Sequence, residues 1–320
     1  MPFPAYTQLP RPDRTGLPLA WQVWGADDRL GTLNHISAGA SVEAARLVGT
    51  GHRINLDLPL DLPLTAVTLG EGPFRAPPHH HISTSELAGL ILRDDKLDDF
   101  YLQGASQWDG LGHIADPDWG AYNSGLVADG ASPHGSVPGI DRVAKFGIFA
   151  RGVLVDLVTY FQAIGRNWWV IGSQIASVAD VTGCLAAQRT EIRPGDVLIL
   201  RMGWVEQFKR ASPDERNRLF HGGDFSGVIG DESMWAFLWD RRIAALAADT
   251  ISVETFPLVA GRPSLHWAIA RLGLTLGELF DVEALASYCR ALGRYEFLLV
   301  AKPLYLAGGI GSPANAMAVF

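Results

Sequence analysis

Tyr101-Leu102-Gln103-Gly104-Ala105-Ser106-Gln107-Trp108-Asp109-Gly110-Leu111-Gly112-His113 carries more chemistry per residue than any other part of the chain. Side chains alternate between the two faces of an extended segment, so an extended reading puts Gln103, Gln107, Asp109 and His113 on one side. The small residues and glycines among them let the backbone come close to a ligand and bend. An edge strand facing solvent would also show polar residues at alternate positions. Trp108 and Leu111 are poor choices for such an edge, which favours a site.

The surroundings set the class. At 320 residues, 48% hydrophobic and 19% charged, the chain is a soluble globular protein that buries a large core. Its 35 glycines and 19 prolines predict long shaped loops, where sites are often carried. The net charge of −8 and the lack of a Lys/Arg cluster argue against nucleic acid. Met1 to Trp21 has no basic start followed by an apolar run, and no apolar stretch is long enough to span a bilayer, so no membrane partner and a cytosolic location are expected. Cys184 and Cys289 are far apart and each falls in a helical pattern. Two reduced structural thiols are expected, not a disulfide framework.

Five prolines between Pro2 and Pro18 make residues 1–20 an extended arm without regular structure, wrapping either a neighbour or its own domain. Residues 21–320 read as one domain. Ser41 to Val48 is expected as a short helix, Asn55 to Leu60 as a strand, and the Pro- and Gly-rich stretch from Leu64 to Ile82 as a loop. That loop carries His79-His80-His81. Neighbours in sequence point in different directions, so at most one of the three would serve a metal. Ala115 to Pro138 reads as a further loop. Gly152 to Val158 and Val197 to Arg201 are strands, the latter entered by a turn at Arg193-Pro194-Gly195-Asp196. Ser177 to Gln188 is a helix. Residues 206–233 read as a polar surface excursion, Trp235 to Ala247 as a helix and Ala248 to Glu254 as a strand. Leu265 to Arg271 and Val282 to Leu292 are helices and Tyr295 to Ala301 is the last strand. Gly308 to Asn315 is a Gly-rich loop that lacks the strand, helix and lysine of a phosphate loop, so no nucleotide cofactor is expected.

His266, at the start of a helix, and Glu278, twelve positions on, form the second half of the site. A lone histidine there is often only a capping or surface group. The pair gains weight because the chain resembles, over nearly its whole length, the cyclase family that includes bacterial kynurenine formamidases and isatin hydrolase. That family carries a HxGTHxDxPxH signature. Laid over Gln103 to His113, it matches at Asp109 and His113 and departs at Gln103 and Gln107, where the family has histidines. His266 and Glu278 fall where the family has its later histidine and glutamate. Trp24-Gly25, Asp27-Asp28, Gly277 to Asp281, Gly293 to Phe297 and Gly309 to Asn315 are similar to a longer branch with a Gln-Trp-Asp-Gly-Leu-x-His core.

The resemblance implies a mixed α/β fold of the swivelling β/β/α kind, assembled as a homodimer or homotetramer and acting on a small molecule. It also implies a divalent metal, manganese or zinc, held by Asp109, His266 and Glu278. Glutamine offers only neutral amide oxygens, so a single ion is expected in place of two. His113 would move a proton, and Gln103 and Gln107 would donate hydrogen bonds to substrate. Trp24, Trp108, Tyr122 and Trp204 are candidates for the wall of a substrate pocket. The expected reaction is hydrolysis of an amide, imide or lactone bond in a cyclic or aromatic substrate. Metal-free lyase or isomerase chemistry by the same acid/base groups, and a binding protein that has lost turnover, are the alternatives.

Overall fold

Nine strands form one mixed sheet among the residues that the computed structural model describes, which are 3–62, 67–68, 73–127, 138–221 and 223–320. In chain order they are β1 (Arg53–Asn55), β2 (Gln107–Asp109), β3 (Ile148–Asp156), β4 (Val197–Arg201), β5 (Ala245–Ala248), β6 (Thr275–Glu278), β7 (Glu296–Ala301), β8 (Gly311–Pro313) and β9 (Ala316–Val319). Their spatial order is β1-β9-β7-β3-β4-β5-β6-β2-β8. The central four, β3 to β6, run parallel. The flanking pairs are antiparallel. Val197 to Leu200 and Ala245 to Ala248 are buried on both faces, which is why these strands read as unbroken apolar runs and not as alternation. This is the mixed α/β architecture expected.

Several elements differ from expectation for identifiable reasons. The first helix is Ala38–Ala45, not Ser41 to Val48, because Ser37 is the cap that accepts the Ala40 N–H. The first strand is Arg53–Asn55, paired with the C-terminal strand β9, and not Asn55 to Leu60. Residues 206–233 hold much of two helices, Trp204–Arg210 and Pro213–His221, which bury Phe208, Leu219 and Phe220 under a polar exterior. The helix at Trp235 is Glu232–Asp240, and the strand after it is Ala245–Ala248, where helix was expected; the residues after Ala248 turn instead of extending. The Gly-rich Gly308 to Asn315 contributes β8, which pairs with β2. His79-His80-His81 open a nine-residue exposed strand and not a loop. The expected loops at Leu64 to Ile82 and Ala115 to Pro138 lie partly outside the described residues.

The N-terminal arm folds onto its own chain, with a single 3-10 turn at Tyr6–Gln8. Tyr6 N–H donates to Asp240 Oδ1 at 2.7 Å, and Trp239 Nε1 donates to the Pro4 carbonyl at 2.9 Å. Leu9, Leu17 and Leu19 are buried. Full burial of a leucine is worth roughly 1.5–3 kcal/mol, so these contacts hold the arm without a helix or strand. No helix among the described residues is long and apolar enough to cross a membrane.

Candidate active site

The pairing of β2 with β6 builds the floor of the site. Its register sets Gln107 opposite Glu278, and cross-strand neighbours share a face. Gln107 Nε2 accordingly donates to Glu278 Oε2 at 2.6 Å. Asp109, two residues on, projects to the same side. Between them Trp108 points the other way into the core, against Phe280 at 5.0 Å between ring centroids. Gly277 makes that possible, since a Cβ there would lie 2.8 Å from Trp108, Phe280 and Ala247.

The extended reading fails before Gln107. Gly104 N–H bonds the Tyr101 carbonyl at 3.0 Å, so the chain turns and Gln103 arrives from above the strand. Its amide still meets Asp109: Nε2 donates to Oδ1 and lies 3.2 Å from His113 Nδ1. Gly311 on β8 leaves room for this side chain, because a Cβ there would be 2.6 Å from Gln103 Cγ. A second turn, closed by His113 N–H to the Gly110 carbonyl at 2.9 Å, swings His113 back so that Nε2 is 3.9 Å from Asp109 Oδ1. Both glutamine amides are thus committed to carboxylates of the site and not to a substrate.

His266 comes from the first turn of helix Leu265–Leu272, capped by Ser264, whose hydroxyl accepts the Trp267 N–H at 3.0 Å. Beneath it lies a residue that the sequence reading missed. Glu254 is buried and accepts the Leu265 N–H, the His266 N–H at 3.2 Å and His266 Nδ1 at 2.6 Å. With Nδ1 tied down, Nε2 faces inward, 3.3 Å from Glu278 Oε1. Arg75, also missed, donates to the Gln103 carbonyl and stands 3.4 Å from Gln107 Oε1, which turns the Gln107 amide nitrogen toward Glu278. No local motif marks either residue. Each is delivered by the fold from a distant segment.

Ligand atoms of Asp109, His113 and His266 lie within 4.8 Å of one another. Asp109 Oδ2 is buried without a hydrogen-bond partner, a costly state for a carboxylate oxygen, and Glu278 Oε1 has no hydrogen bond but faces His266 Nε2 as an ion pair. Glu278, expected as a third ligand, stands beside this trio, with His113 taking its place. Burial would depress the His266 pKa, but the Glu254 and Glu278 carboxylates outweigh it and hold the imidazole well above its usual value. Burial and the nearby Asp109 push Glu278 up, against the pull of His266. His113 is pushed down by burial, with His266 and Arg75 adding to it and Asp109 opposing. The site therefore sets an imidazole and a carboxyl of raised proton affinity beside an imidazole of lowered proton affinity.

A cavity of about 820 Å³ opens on His266, walled by Ile114, Leu258, Val259 and Trp267 and bordered by Arg14 and Thr15 of the arm. Trp267 Nε1 donates to Asp116 Oδ2 at 2.8 Å, and the fully buried Arg271 binds the same carboxylate and Asp13, so arm, loop and helix are fastened together. None of the four expected wall aromatics lines it. Trp24 packs against Phe3, His35 and Trp239; Trp204 stacks on Phe208; Trp108 is core; Tyr122 is half-buried in a turn closed by its own backbone to Leu126. Large aromatics fill cores more often than pockets, and that rule prevails here. His79, His80 and His81 lie on an exposed strand and do not join the cluster.

Fold and site define a mixed α/β protein with a carboxylate–imidazole cluster whose His266 lines a cavity. Residues 33–255 match the family described as "Putative cyclase", and the chain belongs to that family. A solved structure described as a novel cyclase is 32% identical, with a TM-score of 0.81 over 94% of this chain and 99% of that one. Isatin hydrolase A from Labrenzia aggregata, solved with benzyl benzoate, is 15% identical with a TM-score of 0.59 over 90% of this chain and 98% of its own. Isatin hydrolase A from Ralstonia solanacearum is 14% identical with a TM-score of 0.58 over 89% and 98%. These two share the fold. Comparison with curated proteins gives no match.

Proposed function

We propose that this chain hydrolyses an amide, imide or lactone bond in a small cyclic or aromatic substrate, with one divalent cation held by Asp109, His113 and His266. The observation that carries the reading is the convergence of those three side chains beside the cavity, with Asp109 Oδ2 unpartnered. The donor set fits a cation: one carboxylate and two imidazoles leave positions open, and Glu254 on His266 Nδ1 is the carboxylate support that metal-binding histidines commonly have. Such an ion would polarise a substrate carbonyl and ease deprotonation of water.

The chain's own residues supply the proton path. Glu278, with Oε1 free of hydrogen bonds beside His266 Nε2 and its proton affinity raised, takes the proton from the attacking water. Water oxygen bonds to the carbonyl carbon, the carbon–nitrogen or carbon–oxygen bond breaks, and the proton passes from Glu278 to the leaving atom. Gln107 holds Glu278, and Arg75 holds the Gln107 side chain and the Gln103 backbone, while Trp267, Leu258 and Val259 receive the flat body of the substrate. The names of the two isatin hydrolases support a cyclic amide as the first substrate to try.

A metal-free acid/base reaction is the second reading, favoured by the glutamine amides that already partner Asp109 and Glu278. A screen of cyclic amides, imides and lactones against protein loaded with Mn²⁺ or Zn²⁺, and against chelator-treated protein, separates the two. Turnover lost with chelator and in both Asp109→Ala and Glu278→Ala is the expected result. Turnover unchanged in both folded variants would reject either chemistry.

A further inference from the structure

A second cavity, of about 680 Å³, opens elsewhere on the molecule and shares no lining residue with the one at His266. It lies off the carboxyl ends of two neighbouring parallel strands. Arg201 is the last residue of β4, Met202 and Gly203 follow it, and Val158 stands two residues beyond the end of β3. In open α/β sheets ligands bind in the crevice outside the carboxyl ends of the strands. Glu278 occupies the same kind of position, as the last residue of β6.

Most of the cavity wall is fixed. Trp168 Nε1 donates to the Met202 carbonyl at 2.9 Å, and its ring packs on Phe161 at 4.8 Å between centroids. The Met202 and Gly203 N–H groups donate to the buried Asp249 carboxylate at 2.6 Å and 2.8 Å. Trp169 differs. Its N–H is held by Gln174 Oε1 at 2.8 Å, yet its side chain is left open: the residue is 64% exposed and its indole meets no other ring among the described residues. An indole presented beside Val170 and Ile171 is a surface that a flat ring would cover.

The charges of the lining are committed within the chain, with one exception. Arg201 pairs with Asp156 and Glu283, and Arg210 with Glu206. Glu215 accepts the Ser212 N–H and hydroxyl, each at 2.8 Å. Arg218 makes no hydrogen bond or ion pair among the described residues. Its planar fork matches a carboxylate in two hydrogen bonds. A single uncommitted cation suits a single negative charge, since a more highly charged anion would also meet Glu206 and Glu215.

We propose that this cavity is a second ligand site, distinct from the active site, for an aromatic monocarboxylate whose ring lies on Trp169 and whose carboxylate is held by Arg218. The volume falls in the range of about 300–1,000 Å³ that small-molecule pockets occupy.

The test is calorimetric titration of the full chain with naphthalene-2-carboxylate and with its uncharged amide, naphthalene-2-carboxamide, in the presence of chelator so that no metal competes for the acid. Trp169→Ala and Arg218→Gln probe the two contacts. Both residues are exposed and lie on different segments, so the parent's dichroism should persist in each. Asp109→Ala is the active-site control. The acid should bind parent and Asp109→Ala alike, and about tenfold or more weaker in Trp169→Ala and in Arg218→Gln. The amide should bind the parent about tenfold or more weaker than the acid, and Arg218→Gln should erase that preference. No binding of the acid to the parent, equal affinity in the parent and both cavity variants, or equal affinity for acid and amide would overturn the proposal. So would loss of binding in Asp109→Ala, which would put the ligand in the active site.

Discussion

Replacing Glu254 by glutamine tests how the site is held more sharply than replacing any group that faces the cavity. Glu254 is buried and receives three donors: two backbone N–H groups at the start of helix Leu265–Leu272 and His266 Nδ1 at 2.6 Å. Glutamine keeps the shape and one carbonyl oxygen. It removes the negative charge and turns an NH₂ toward a donor. Removing one partner of a buried charge pair costs roughly 3–5 kcal/mol, and the retained oxygen puts the expectation near the lower end, about 3 kcal/mol. The same change frees the ring of His266. Loss of such a supporting carboxylate typically costs 10–100-fold in metal affinity, about 1.4–2.7 kcal/mol. Urea unfolding followed by tryptophan fluorescence reads the first quantity, and calorimetric titration with Mn²⁺ or Zn²⁺ reads the second. A variant within about 1 kcal/mol of the parent that binds metal with the same affinity would refute the role given to Glu254.

Gly311→Ala would set a Cβ 2.6 Å from Gln103 Cγ and 3.0 Å from the Trp108 carbonyl, so the Gln103 amide should leave Asp109. A stability loss of about 1–3 kcal/mol with a larger proportional loss of turnover is expected, and a variant equal to the parent in both would contradict the packing. Asp249, fully buried and accepting N–H bonds from Met202 and Gly203, has its pKa pushed up to about 7, mainly by burial. The folded state then holds this proton more tightly than the unfolded state does. The stabilisation is complete below the ordinary carboxylate range and is lost as pH rises through about 7. Relative to Asp249→Asn, the parent should lose up to about 4 kcal/mol between pH 4 and pH 8, and a pH-independent difference would contradict the shift.

What the sequence disclosed follows from how locally each feature is encoded. Val197 to Arg201 is legible as an apolar run after a Pro-Gly turn, and helix Val178–Ala187 from the helical pattern of Ser177 to Gln188, because both signals lie in or next to the elements they define. Ala245–Ala248 was misread because alanine favours helix and a strand buried on both faces shows no alternation. Helix Pro213–His221 lies within what reads as a polar surface excursion because, among its described side chains, Leu219 and Phe220 alone reach the core, too few to show a period. The site divides the same way. Asp109 and His113 are visible through residue type and alternation, His266 and Glu278 through the family resemblance, and β2 pairing with β6 explains why two distant segments meet. Glu254, Arg75 and Trp267 were not, since their roles come from tertiary placement alone. The wall aromatics failed for a related reason: ring size identifies a residue that must be packed, not the side on which it packs.

Metal content addresses the central claim most directly. Protein purified without a metal-affinity step, dialysed against Mn²⁺ or Zn²⁺ and then desalted, should retain about one ion per chain by elemental analysis, since one three-residue cluster was found among the described residues. Asp109→Asn and His266→Ala should each retain none while keeping the parent's dichroism. Absence of bound ion in the parent under both conditions, or full retention in both variants, would contradict a cation held by Asp109, His113 and His266.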